Sequence, residues 1–134
     1  MSKFRAFLTG REEVPPVRTA AFGNAIFRLS RDGRRLKFVL IVNNISRVTQ
    51  AHIHLGRRGQ NGPIVAFLFG RSKFGISVRR GVVKGTLTMA DLVGPLQGKT
   101  IRDLVNEIRQ GNAYVNVHTI QNPNGEIRGQ MTKN

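Results

Sequence analysis

Apolar and polar residues alternate along most of this chain, in short runs broken by Gly, Asn, Pro and Asp. Side chains two apart on a strand share a face, so this alternation predicts half-buried strands. Eight such runs are readable, at 3–8, 23–30, 36–43, 48–55, 64–69, 82–88, 113–119 and 126–132. Between the second and third, Arg31-Asp32-Gly33-Arg34 predicts a hairpin, because Asp-Gly tolerates the positive φ of tight turns. Asn122-Pro123-Asn124-Gly125 predicts another turn between the last two runs. One stretch departs from the period of two. Ile101, Leu104, Val105 and Ile108 recur at i, i+3, i+4 and i+7, the stripe of an amphipathic helix. Thr100 can cap its start and Gly111 follows its expected end, so the stripe should pack over the end of a sheet. The expected fold is all-β: a Greek-key sandwich or barrel with one short helix before the penultimate strand.

The pattern fills nearly all of the 134 residues, with no linker, repeat or low-complexity segment, and predicts a single domain over 1–134. No apolar run approaches the roughly 20 residues of a transmembrane helix. The chain has no cysteine, which excludes disulfides and thiolate metal sites. The start, Met1-Ser2-Lys3-Phe4, has no apolar stretch of signal-peptide type, so as written the chain reads as cytoplasmic. Charge changes the picture more. Lys and Arg number 22 against 7 acids, a net charge of +15. Such a balance predicts attraction to an anionic polymer or surface: nucleic acid, teichoic acid or anionic lipid. The basic residues are spread along the chain (Arg34, Arg35, Lys37; Arg57, Arg58; Arg71, Lys73; Arg79, Arg80; Arg102, Arg109). No specific nucleic-acid motif is present, and a solvated basic surface is the plainer expectation.

The chemistry is concentrated in three histidines, His52, His54 and His118. Two form His-x-His inside a predicted strand, so both side chains point to one face while Ala51, Ile53 and Leu55 point to the core. By the same parity Tyr114, Asn116 and His118 share a face, as do Glu126, Arg128 and Gln130. If these strands adjoin, one polar patch results. Three imidazoles suit a copper or zinc ion and leave a coordination position open. Asn116, Glu126, Arg128 and Thr119 are expected around the ligands, orienting them or guiding an anion. The same histidines can equally serve as structural hydrogen-bonding groups. The Gly-rich stretch 56–63 lacks Gly-Lys-Ser/Thr and a following helix, which excludes a P-loop. No Ser-His-Asp arrangement is visible. Glu12-Glu13, followed by Val14-Pro15-Pro16, is an adjacent acid pair in a rigid segment and reads as structural anchoring.

Three separated motifs carry a resemblance. Leu8-Thr9-Gly10-Arg11-Glu12-Glu13-Val14-Pro15-Pro16 is the first. Ala51-His52-Ile53-His54-Leu55-Gly56, with Gly59 and Asn61-Gly62-Pro63, is the second. The third runs from Gly111 to Thr119 and on through Asn122-Pro123-Asn124-Gly125-Glu126-Ile127-Arg128-Gly129-Gln130. Together these strongly resemble the CHRD (chordin) domain over about residues 3–132. The resemblance implies an all-β domain, often in secreted or surface proteins; in chordin it is part of an extracellular growth-factor antagonist. A weaker resemblance is to the copper site of copper/zinc superoxide dismutase, with His52, His54 and His118 at three ligand positions and Arg128 at an anion-guiding one. The bridging histidine, the cysteine pair and the zinc-loop ligands have no counterparts. Three functions follow as expectations: a metal-binding domain, a redox enzyme with dismutase-like chemistry at that site, or a non-catalytic structural or surface-interaction module.

Overall fold

The computed structural model describes residues 2–134. Alternating sequence becomes alternating burial: in β1 (Lys3–Thr9) and β2 (Phe22–Leu29) every second side chain is inside. The two are antiparallel neighbours, and β2 turns through Gly33, at φ 72°, into β3 (Leu36–Leu55). The predicted runs at 36–43 and 48–55 are thus one strand of 20 residues. Asn44 and Arg47 take positive φ of 52° and 55°, and the pairing register shifts between Ile45 and Val48. An irregularity of this kind bends a strand without ending it. The bend lets β3 serve two sets of neighbours. Its first half pairs with β2 and β5 (Ile76–Leu87), its second with β4 (Ile64–Gly70) and β6 (Ala113–Thr119). Strand β5 begins six residues earlier than the alternation at 82–88 suggests, because it is an exposed outer strand with little apolar signature.

The last run divides into β7 (Ile127–Gln130) and β8 (Thr132–Lys133), which continue along β1 and close the sheet on itself. Around the closed part of the sheet the order is β1-β2-β3-β6-β7, with β7 lying back beside β1. The result is an all-β, barrel-like sandwich with one helix. That helix, α1 (Ile101–Arg109), starts at a capping box. Thr100 Oγ1 accepts the Asp103 N–H at 3.2 Å and the Asp103 carboxylate accepts the Thr100 N–H at 2.9 Å. Its stripe of Ile101, Leu104, Val105 and Ile108 is buried in the core with Phe4, Leu8, Phe27, Leu40 and Ile53. Burying each such side chain is worth roughly 1.5–3 kcal/mol. Among the described residues no helix is long and apolar enough to cross a membrane.

Strand β6 positions the site. Every residue in it is buried. Val115 and Val117 face the apolar core; Tyr114, Asn116 and His118 lie on the other side, beneath loops rather than water.

Candidate metal centre

The strand register assembles the polar patch. His52 pairs with Asn116, His54 with Tyr114, and His118 with Gln50, while Asn116 also pairs with Arg128. The adjacency on which the three-histidine expectation depended is therefore present. His52, His54 and His118 are all buried. Their ring centroids lie 4.7–5.9 Å apart, and one potential ligand nitrogen from each falls within 4.8 Å of the others.

Hydrogen bonds fix which nitrogens are free. The His54 Nδ1–H donates to the Gly62 carbonyl at 2.9 Å, which leaves Nε2 bare. The His52 Nε2–H donates to Gln50 Oε1 at 2.9 Å, which leaves Nδ1 bare. Both bare atoms are buried without a partner. The His118 Nδ1–H donates to the Pro123 carbonyl at 2.7 Å, and its Nε2 lies 3.0 Å from Asn116 Oδ1, so neither nitrogen of this ring is bare. One ring N–H anchored on a carbonyl or amide and the other nitrogen turned inward is how metal-ligating histidines are held. Burial also keeps the rings neutral. It pushes His52 down to about 3, aided by His118, His54 and Arg71 nearby. It lowers His54 and His118 too, against the opposing effect of their bonds to Gly62 and Pro123. Neutral imidazole is the form that binds metal.

The donor set fits a late first-row ion with an open position. Bonds of 2.0–2.1 Å imply nitrogen separations near ~3.3 Å, so the rings must draw together on binding. Around them, His54 stacks on Tyr114 at 4.8 Å and on the His118 ring at 5.9 Å. The Tyr114 hydroxyl accepts the Gly62 N–H, tying the ring to the loop that also holds His54. Arg128 lies 3.5 Å over the Tyr114 ring. Its guanidinium is committed to Asn61 Oδ1 at 3.1 Å and to the carbonyls of Arg57 and Gln60 at 3.0 and 2.7 Å. It thereby folds loop 56–63 down over the histidines. Glu126 sits at the far end of the patch and accepts bonds from Thr19, Thr119, Gln121 and Asn122 at 2.7–3.0 Å. These bonds hold its carboxyl below the usual range despite burial.

Glu13 joins the site without having been expected there. Its side chain is buried, one carboxylate oxygen is unpartnered, and it lies beside Asn116 and Arg128. Burial pushes its carboxyl up to about 7, opposed by Arg128 and by a bond with Asn116. Gly125 permits this approach: a Cβ there would fall 2.4 Å from the Glu13 carboxylate and 2.6 Å from the Asn116 amide. Glu12, by contrast, pairs with Arg58 at the surface. Strand parity assigns faces only within strands, and Glu13 stands outside one; the sequence signal was the stiff Val14-Pro15-Pro16 that follows it.

The model of the CHRD domain family matches residues 4–131. Chordin of Xenopus laevis is 26% identical over 132 aligned positions, which cover 92% of this chain and 12% of Chordin. The chain thus spans about an eighth of that relative's length.

Proposed function

The chain belongs to the CHRD domain family, and on that premise we propose that it is a metal-binding CHRD domain holding copper or zinc through His52, His54 and His118. The observation that carries this is the pair of bare, buried ring nitrogens, His52 Nδ1 and His54 Nε2, in a three-histidine cluster. A buried acceptor without a donor costs about 1–3 kcal/mol, a cost that a bound cation removes. In this reading the Pro123 carbonyl orients His118, whose Nε2 exchanges its Asn116 contact for the ion, and Arg128 acts through Tyr114 and the loop to hold His54. Glu126 secures the turn that supplies the Pro123 carbonyl. The metal would supply Lewis acidity or, if copper, one-electron chemistry.

The test is elemental analysis of untagged protein loaded with Cu(II) or Zn(II) and then desalted. About one ion per chain is expected, lost in His54→Ala/His118→Ala with circular dichroism unchanged. No retained ion in the parent protein overturns the reading. A superoxide assay on the copper-loaded parent then tests the redox alternative. A second reading, a non-catalytic module for anionic surfaces, draws support from the net charge of +15. Binding to polyphosphate that falls steeply with salt is its expected signature.

A further inference from the structure

The cations that look scattered in sequence are gathered by strand register. Outward positions align in rows across β1, β2, β3 and β5. One row reads Lys3, Arg28, Lys37, Thr86; the next Arg5, Ile26, Val39, Lys84; the next Phe7, Asn24, Ile41, Val82; the last Thr9, Phe22, Asn43, Arg80. This face carries six cations and no acid. The nearest acids lie at its margins: Asp32 in the β2–β3 hairpin, and Glu12 paired with Arg58.

Two features make this more than a solvated surface. First, Arg28 lies directly opposite both Lys3 and Lys37. Like charges opposite one another destabilise a sheet, and no acid on this face offsets them. Second, the cations are interleaved with exposed apolar side chains: Phe7 is 59% exposed, Val82 47%, Ile26 40% and Phe22 37%. A phosphodiester or polyphosphate chain uses the cations alone. Phe7 and Phe22 offer rings on which a base could stack, but the apolar positions between them, Ile26, Val39, Ile41 and Val82, are aliphatic and give such a chain nothing. A broad, acid-free face that mixes basic with aliphatic and phenyl side chains matches the headgroup–acyl boundary of an anionic bilayer.

We propose that the outer face of the β1-β2-β3-β5 sheet docks on an anionic lipid bilayer, with Lys3, Arg5, Arg28, Lys37 and Lys84 on headgroups and Phe7, Ile26 and Val82 inserted between them. The proposal rests on the interaction-module reading and is independent of the metal. The test is co-sedimentation of the full chain with phosphatidylcholine vesicles, with and without phosphatidylglycerol, alongside binding to polyphosphate. Binding is expected only with phosphatidylglycerol. Each basic residue at an anionic surface is worth roughly fivefold in affinity, so Arg28→Glu/Lys84→Glu should weaken it by at least about tenfold. Arg18→Glu/Lys99→Glu, the same charge change at exposed positions off this face, should weaken it far less. Phe7→Gln/Val82→Gln, which leaves the charge intact, should weaken vesicle binding and spare polyphosphate binding. The Arg28→Glu/Lys84→Glu variant should remain folded, since Arg28→Glu relieves two like-charge contacts. Polyphosphate bound and vesicles ignored overturns the lipid inference and leaves the interaction reading standing. Neither bound overturns both. Equal losses from the on-face and off-face charge pairs, or no effect of the apolar pair, also overturn it.

Discussion

A buried histidine with one nitrogen bonded and the other bare must stay neutral to remain buried. His52 and His54 meet that condition, and burial lowers His118 as well although both its nitrogens have partners, so the metal-free fold carries a specific acid sensitivity. A group whose folded pKa lies below its unfolded value contributes stability that is complete above the unfolded value and drains away as pH falls. For the histidines the loss begins near 6.5 and, for His52, continues down to about 3. Glu13 works in the opposite sense. Its carboxyl is raised from 4.5 to about 7, so its contribution is complete below 4.5 and is lost as pH rises through 7. Three groups oppose one across the acid range. In chelator, the urea midpoint is therefore expected to fall from pH 7 to pH 5, and less steeply in His52→Asn; a flat or rising midpoint would count against buried neutral rings. At this scale the sequence was informative wherever parity applied: His-x-His, His118 and Asn116 fall on one face because strands alternate. Glu13 and Gln50 were not legible as partners of the site. One enters from a loop, and the other matters only through its bond to His52.

The elements explain why the site is enclosed. Strand β3 runs on through the bend at 44–47 instead of ending, so one strand both lines the core and delivers two histidines beside β6. The sequence showed two alternating runs there because the period breaks at the bend, and pairing, not pattern, joins them. Closure depends on the passage of β7 against β1. At Gly129 a Cβ would fall 2.2 Å from the Phe7 carbonyl, so the two backbones meet closer than any side chain allows. Gly129→Ala must push β7 off β1 and with it Arg128, one residue away, whose bonds hold loop 56–63 over the histidines. A loss of about 1–3 kcal/mol is expected by chemical denaturation, as for other overpacked positions. Metal retention should fall along with stability, because Arg128 reaches the histidines only through the loop and Tyr114. Unchanged stability in Gly129→Ala would mean that the closing contact is loose.

For the molecule as a whole, the excess of positive charge is a cost carried by the entire fold. Among the described residues the ion pairs engage Asp32 and Glu12, and the net charge of +15 remains after all seven acids are counted. A chain of this length has a radius of gyration near about 14 Å. The Debye length is about 30 Å at 0.01 M salt and about 8 Å at 0.15 M. In dilute buffer every cation therefore feels every other, whereas at physiological ionic strength repulsion reaches only immediate neighbours such as Lys3, Arg28 and Lys37. This gathering was invisible in the sequence, where Lys3, Arg28, Lys37 and Lys84 are far apart; only the register of four strands brings them together. Repulsion should consequently weaken the folded state at low salt. The thermal midpoint is expected to rise by about 3–6 °C between 0.01 and 0.15 M sodium chloride, corresponding to roughly 1 kcal/mol for a domain of this size. Arg28→Gln should start higher and respond less, since it removes the residue with a like charge on both sides. Binding to an anionic surface should move the other way over the same salt range. The same charges would then destabilise the free protein and drive its docking. A midpoint that falls with salt would show instead that attractive pairs dominate, and the acid-free face would lose its energetic argument.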